Sequence, residues 1–233
     1  MSAVEYTVDG KTYEGFYLRP KGKDVAPLVV IAHAWGGLGD NEREKAEKVA
    51  AMGYAAFAMD VYGKGMRGTT VEECQALMNP LVEDRAELQK RLAGSLAAAR
   101  QQVGVNPKKA AAIGFCFGGL SVLDMARANH DVLGVVSFHG LFAGAANIPE
   151  PKITAKVLIE HGWHDPMATP DDVMAITKEL DGAGADWQMH VHGNSMHAFT
   201  TQGANDKEMG TVYNADADRR SFESLENFLA ELF

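Results

Sequence analysis

Cysteine is nearly absent: the 233 residues contain two, Cys74 and Cys116, in unlike settings. At most one disulfide is conceivable, and both thiols are expected to stay reduced, with at least one free for chemistry. Long apolar runs are missing as well. No stretch approaches the roughly 20 residues that span a bilayer, and Met1-Ser2-Ala3-Val4-Glu5-Tyr6 lacks the basic-then-apolar pattern of a signal peptide. Positive charge is scarce, with 22 Lys and Arg against 31 Asp and Glu and a formal net charge of −9. A negative surface repels nucleic acid and anionic membranes, so neither is expected as a partner. The expected location is cytoplasmic.

What is present supports a packed core: 46% of residues are hydrophobic and 23% charged, which disfavours disorder. Residues 4–8 and 12–18 alternate around Asp9-Gly10 and predict a β-hairpin. Continuous apolar runs at 27–32 and 54–59, and the short run 110–113, predict strands buried on both faces. Further strands are expected at 132–138, 155–160 and 187–191, with helices near 119–129, 171–182 and 215–232. Asp40 or Asn41 is a candidate cap for a helix ended by Gly53, and 81–103 predicts a helix with Leu88, Leu92, Leu96 and Val103 on one face. There is no internal repeat or linker. This alternation predicts one doubly wound, mostly parallel α/β domain over residues 1–233.

The sharpest chemical signal is Ile113-Gly114-Phe115-Cys116-Phe117-Gly118-Gly119. It has the form of the nucleophile elbow of α/β-hydrolases, a tight strand-to-helix turn that needs small flanking residues and lifts its central side chain above the sheet. The helix N-terminus there favours a thiolate and, later, an oxyanion. The plain alternative is a buried structural cysteine beside a turn. Cys74, among Glu72, Glu73 and Gln75 without a turn signature, is read as structural.

Chain order in this fold is nucleophile, acid, histidine. Asp165, in His161-Gly162-Trp163-His164-Asp165-Pro166, lies where an acid belongs, at the carboxyl end of a strand. Asp171 and Asp172 suit the start of a helix instead. His197, in Gly193-Asn194-Ser195-Met196-His197-Ala198-Phe199, is the candidate base, and His190 and His192 are expected to be structural or surface residues. For the oxyanion, the backbone amides of Phe117 and Trp35 are the candidates. His161 with His164, or His190 with His192, has spacing that suits zinc, but no H-E-x-x-H pattern or cysteine pair accompanies them. No metal site is expected.

Together these residues resemble the dienelactone hydrolase family. Gly114-Phe115-Cys116-Phe117-Gly118-Gly119 is similar to its cysteine elbow, and Asp60-Val61-Tyr62-Gly63, Asp165-Pro166 and His197-Ala198-Phe199 to its other landmarks, from about residue 10 to the C-terminus. The resemblance implies a Cys116–His197–Asp165 triad and no cofactor. Two positions depart from the dienelactone-cleaving members. Ala34 stands where those carry a glutamate facing the thiol, and Thr201 where they carry an arginine for the substrate carboxylate.

Trp35, Met66, Phe142, Met167 and Phe199 fall on loops at the carboxyl ends of the predicted strands and are the candidate substrate-pocket residues. Such a lining suits aryl or alkyl groups. The expected activity is hydrolysis of a neutral, hydrophobic ester or lactone through an acyl-cysteine. The alternatives are phosphotriester hydrolysis by the same triad, dienelactone hydrolysis, and a catalytically silent small-molecule binding module.

Overall fold

The computed structural model describes residues 1–233. β1 (Ser2–Val8) and β2 (Lys11–Leu18) pair antiparallel across Asp9-Gly10, both at positive φ, 47° and 77°. Two-residue hairpin turns demand that backbone. Six strands follow: β3 (Ala26–Ala32), β4 (Ala55–Met59), β5 (Val105–Phe115), β6 (Gly134–Phe138), β7 (Lys156–Gly162) and β8 (Trp187–His192). They are mutually parallel, and the eight-stranded sheet runs β1-β2-β4-β3-β5-β6-β7-β8.

The helices are α1 (Asp40–Ala51), α2 (Val71–Glu83), α3 (Arg85–Arg100), α4 (Phe117–Arg127), α5 (Pro170–Gly182) and α6 (Ala215–Leu232). A two-stranded ribbon, β9 (Asn205–Asp206) with β10 (Thr211–Val212), precedes α6. β3 shows how the layers form. Leu28, Val30 and Ala32 join one core with Leu88 and Leu92 of α3, Leu120 of α4 and Ile176 of α5. Val29 and Ile31 join a second core with Val49 of α1 and Leu225 and Leu229 of α6. A strand covered on both faces needs a continuous apolar run, which is why β3 does not alternate. No helix is long and apolar enough to cross a membrane.

Several elements differ from the sequence expectation. The single helix at 81–103 is two, separated at Asp84, which leaves helical geometry (φ −107°, ψ 84°). Its carboxylate accepts from the Glu87 amide at 3.0 Å, so it caps α3 instead of continuing α2. Arg85 then bonds Asp124 of α4 through two nitrogens at 2.6 and 2.5 Å, a buried pair that fixes where α3 begins. Leu88, Leu92 and Leu96 are buried, whereas Val103 lies past the helix and is 79% exposed. The strand at 110–113 belongs to the longer β5, and Gly39 rather than Asp40 or Asn41 caps α1. There the Glu42 carboxylate reaches back to the Gly39 amide at 2.8 Å.

Candidate active site

β5 ends and α4 begins on either side of Cys116, whose backbone sits at φ 57°, ψ −116°. A side chain held at positive φ costs on the order of 1–3 kcal/mol and persists only where its surroundings impose it. Here the glycines permit the turn. A Cβ at Gly114 would lie 2.0 Å from the Gly118 carbonyl oxygen, and one at Gly118 would lie 2.1 Å from that of Ala32. Helix and strand therefore approach to backbone contact, and the half-buried Cys116 thiol faces the cavity above the sheet.

The structure brings Cys116, His197 and Asp165 together. His197 Nδ1 lies 2.7 Å from Asp165 Oδ2, while Asp165 Oδ1 accepts from the Met167 amide at 2.8 Å. Asp165 follows β7 directly, and a Cβ at Gly162 would lie 2.6 Å from the Met196 carbonyl, so the acid and histidine loops are pressed together. His197 Nε2 is buried without a formed hydrogen bond, and the Cys116 thiol is the group that acts on it. Such contacts tighten when substrate binds. Burial opposes charge on His197, yet the Cys116 charge and the Asp165 hydrogen bond hold it up to about 10. Burial likewise pushes the thiol up, but His197 and the Phe117 and Trp35 amides outweigh it, and the Cys116 pKa is lowered. The two directions agree on a thiolate–imidazolium pair.

Both amides named from the sequence help to lower the Cys116 pKa. Phe117 is the first residue of α4 and has no intrahelical acceptor. Trp35 sits on the loop after β3, which is braced at several points. Gly68 N donates to Gly36 O at 3.0 Å, Tyr62 Oη to Trp35 O at 2.9 Å, and Ala34 N to Glu42 Oε1 at 3.4 Å.

Above the sulfur lies a cavity of about 770 Å³. Trp35 and Met167 line it, as do Val71, Met78 and Leu141, which sequence reasoning passed over. Three expected pocket residues do not. Phe142 and Phe199 are buried core side chains, the first against His161 and the second between His139 and His192. Met66 is exposed over a neighbouring groove with Phe16 and Leu38. A loop position at a strand end does not say which way a side chain turns, and a full-sized aromatic gains most by burial. Ala34 and Thr201 do line the cavity.

His139 is the polar residue the sequence reading overlooked. It lines the cavity directly after β6, at φ 37°, with its ring edge-on to His197 at 5.2 Å. Its place at the carboxyl end of a parallel strand was the available signal. Burial, then the nearby His197 and Lys45 charges, keep it neutral. Lys45, fully buried on α1, donates to the Thr200 carbonyl at 2.7 Å and ties down the His197 loop. The remaining histidines form no shared centre. His161 is buried and His164 exposed, while His190 and His192 both bond the buried Glu160 carboxylate, at 3.1 and 2.8 Å.

A cysteine-bearing elbow at the carboxyl edge of a mostly parallel eight-stranded sheet is the architecture of a hydrolase of the α/β-hydrolase fold. Residues 13–233 match the dienelactone hydrolase family, and the chain belongs to it. A putative carboxymethylenebutenolidase of Aquifex aeolicus is 28% identical over 97% of this chain and 96% of its own. An uncharacterized Caenorhabditis elegans protein is 34% identical over 66% of this chain and 99% of its own. Among solved structures, a dienelactone hydrolase-like promiscuous phosphotriesterase from metagenomic libraries superposes with a TM-score of 0.93 at 32% identity, covering 100% of this chain and 98% of that one. The structure of m3DLH gives 0.94 at 31% identity with the same coverage.

Proposed function

We propose that the protein hydrolyses neutral, hydrophobic carboxylic esters or lactones without a cofactor, using Cys116 as nucleophile, His197 as acid and base, and Asp165 to orient His197. The observation that carries this reading is the elbow that holds Cys116 at φ 57° against the cavity it shares with His197, whose Nδ1 lies 2.7 Å from Asp165 Oδ2. The Cys116 thiolate attacks the carbonyl carbon, and the carbonyl electron pair moves onto oxygen, where the Trp35 and Phe117 amides receive it. Collapse breaks the ester C–O bond, and the departing oxygen takes the His197 proton. Water then attacks the thioester while giving a proton to His197, and the second collapse expels thiolate and acid, restoring the starting pair.

The walls support a neutral substrate. Asp40, Glu42 and Arg67 line the cavity, the Cys116 thiolate and His197 imidazolium offset one another, and the positions at 34 and 201 carry Ala34 and Thr201. A carboxylate-bearing lactone would enter against net negative charge. Trp35, Val71, Met78, Leu141 and Met167 give the walls their apolar character.

Phosphotriester hydrolysis is a second reading, favoured by the phosphotriesterase likeness at 32% identity over the whole chain. The same thiolate would form an S–P bond as a phenolate leaves, with the phosphoryl oxygen on the two amides. A panel of aryl esters, lactones and phosphotriesters, run on wild type and Cys116→Ser, separates these readings. Wild-type turnover of aryl esters, lost on alkylation with iodoacetamide, is expected. Full turnover after alkylation would end the proposal.

A further inference from the structure

Tyr62 takes no part in the bond-making steps above, yet it touches both residues assigned there to the oxyanion, Trp35 and Phe117. Its hydroxyl donates its one hydrogen bond to the Trp35 carbonyl at 2.9 Å. Its ring lies nearly parallel to that of Phe117, with centroids 5.9 Å apart and 18° between planes. The other side of the contact is His33, whose ring is 4.6 Å away and which begins the Trp35 loop. The tyrosine is 2% exposed. Burial raises its phenol, and the Cys116 and Cys74 charges raise it further, so it remains a donor throughout the range in which the thiolate works.

The tyrosine is itself anchored. Asp60 Oδ1 accepts from the Tyr62 and Gly63 amides at 2.9 and 2.8 Å, and Asp60 Oδ2 accepts from Glu14 of β2 at 3.1 Å. A core tyrosine needs only some acceptor for its hydroxyl. Here the acceptor is the carbonyl of the residue whose amide must aim at the substrate. Fixing that carbonyl fixes the peptide plane on one side of Trp35, and the ring presses the first residue of α4 from the other direction. An oxyanion site works through donors held in place before the charge develops, so what holds them matters as much as the donors.

We propose that Tyr62 is the positioning residue of the oxyanion site, setting the Trp35 amide through its hydroxyl and the Phe117 amide through its ring. The proposal rests on Cys116 being the nucleophile. Its test is Tyr62→Phe in the full chain, which keeps the ring and removes the hydrogen bond. Losing an oxyanion donor outright costs about 10²–10³ in kcat, so loosening one should cost about tenfold. On a p-nitrophenyl ester, kcat falls by that factor while KM stays within about twofold. Affinity for a simple aldehyde, which adds to the thiolate as a tetrahedral oxyanion, falls with kcat. Alkylation of Cys116 by iodoacetamide, which builds no oxyanion, keeps its wild-type rate and pH dependence.

Unchanged kcat and aldehyde affinity would overturn the proposal. So would a parallel fall in kcat and alkylation rate, because Tyr62 would then serve the fold at large. Wild-type turnover that survives alkylation is a different failure, and it removes the reading of Cys116 instead.

Discussion

Both cysteines sit at the start of a helix, Cys116 at the N-cap of α4 and Cys74 in the fourth position of α2, yet their thiols are driven in opposite directions. Burial raises Cys74, and the charges of Glu73 and Cys116 add to it. Its own amide is spent on the Thr70 carbonyl at 3.0 Å, and Glu72 and Glu73 occupy the helix end that would otherwise favour an anion. Burial raises Cys116 too, but the His197 charge and the Phe117 and Trp35 amides outweigh it. A helix terminus alone therefore does not make a thiolate. What does is a partner of opposite charge together with donors that have nothing else to bond.

The largest way to sharpen this contrast is to remove each thiol in turn. Cys116→Ala should lower kcat on an activated ester by about 10⁴ or more, whereas Cys74→Ala should leave it within about threefold. Comparable losses from the two would break the comparison. Next comes the partner charge. Asp165→Asn removes the acceptor that orients His197 at 2.7 Å, and turnover should drop by about 10³–10⁴ with the fold intact by circular dichroism.

The pH dependence separates the thiols more finely. Because Cys116 is lowered and His197 is raised to about 10, the ion pair extends from below the ordinary thiol range up to about pH 10. Alkylation of Cys116 should stay fast below the ordinary thiol range, and kcat/KM should fall on the alkaline side as His197 loses its proton near pH 10. Cys74, raised, should react only at higher pH, which peptide mapping of the alkylated chain would read directly. The smallest effect is on stability. Removing the buried Cys74 thiol should cost about 1 kcal/mol in a denaturant melt, an ordinary core value.

Much of this was legible in the residues. The hairpin announced itself through Asp9-Gly10, and the elbow through glycines whose spacing leaves no room for a Cβ. Chain order and strand ends single out Asp165 and His197, which the structure brings within 2.7 Å of each other. The pocket was read less well, since Met167 and Trp35 line it but Met66, Phe142 and Phe199 do not. The break at Asp84 was also hidden, because leucine periodicity on α3 extends the pattern of α2 without marking the cap between them.

Sequence alone predicts the alternation of strands and helices, the elbow, and which residue types stand at the strand ends. These are local matters of periodicity, turn geometry and order along the chain. The packing of distant segments settles which side chains face the cavity, that His139 stands against His197, and that Tyr62 contacts both Trp35 and Phe117. Those facts depend on which way each side chain turns once distant segments pack together, and side-chain direction is chosen by the neighbours it meets in space rather than in sequence.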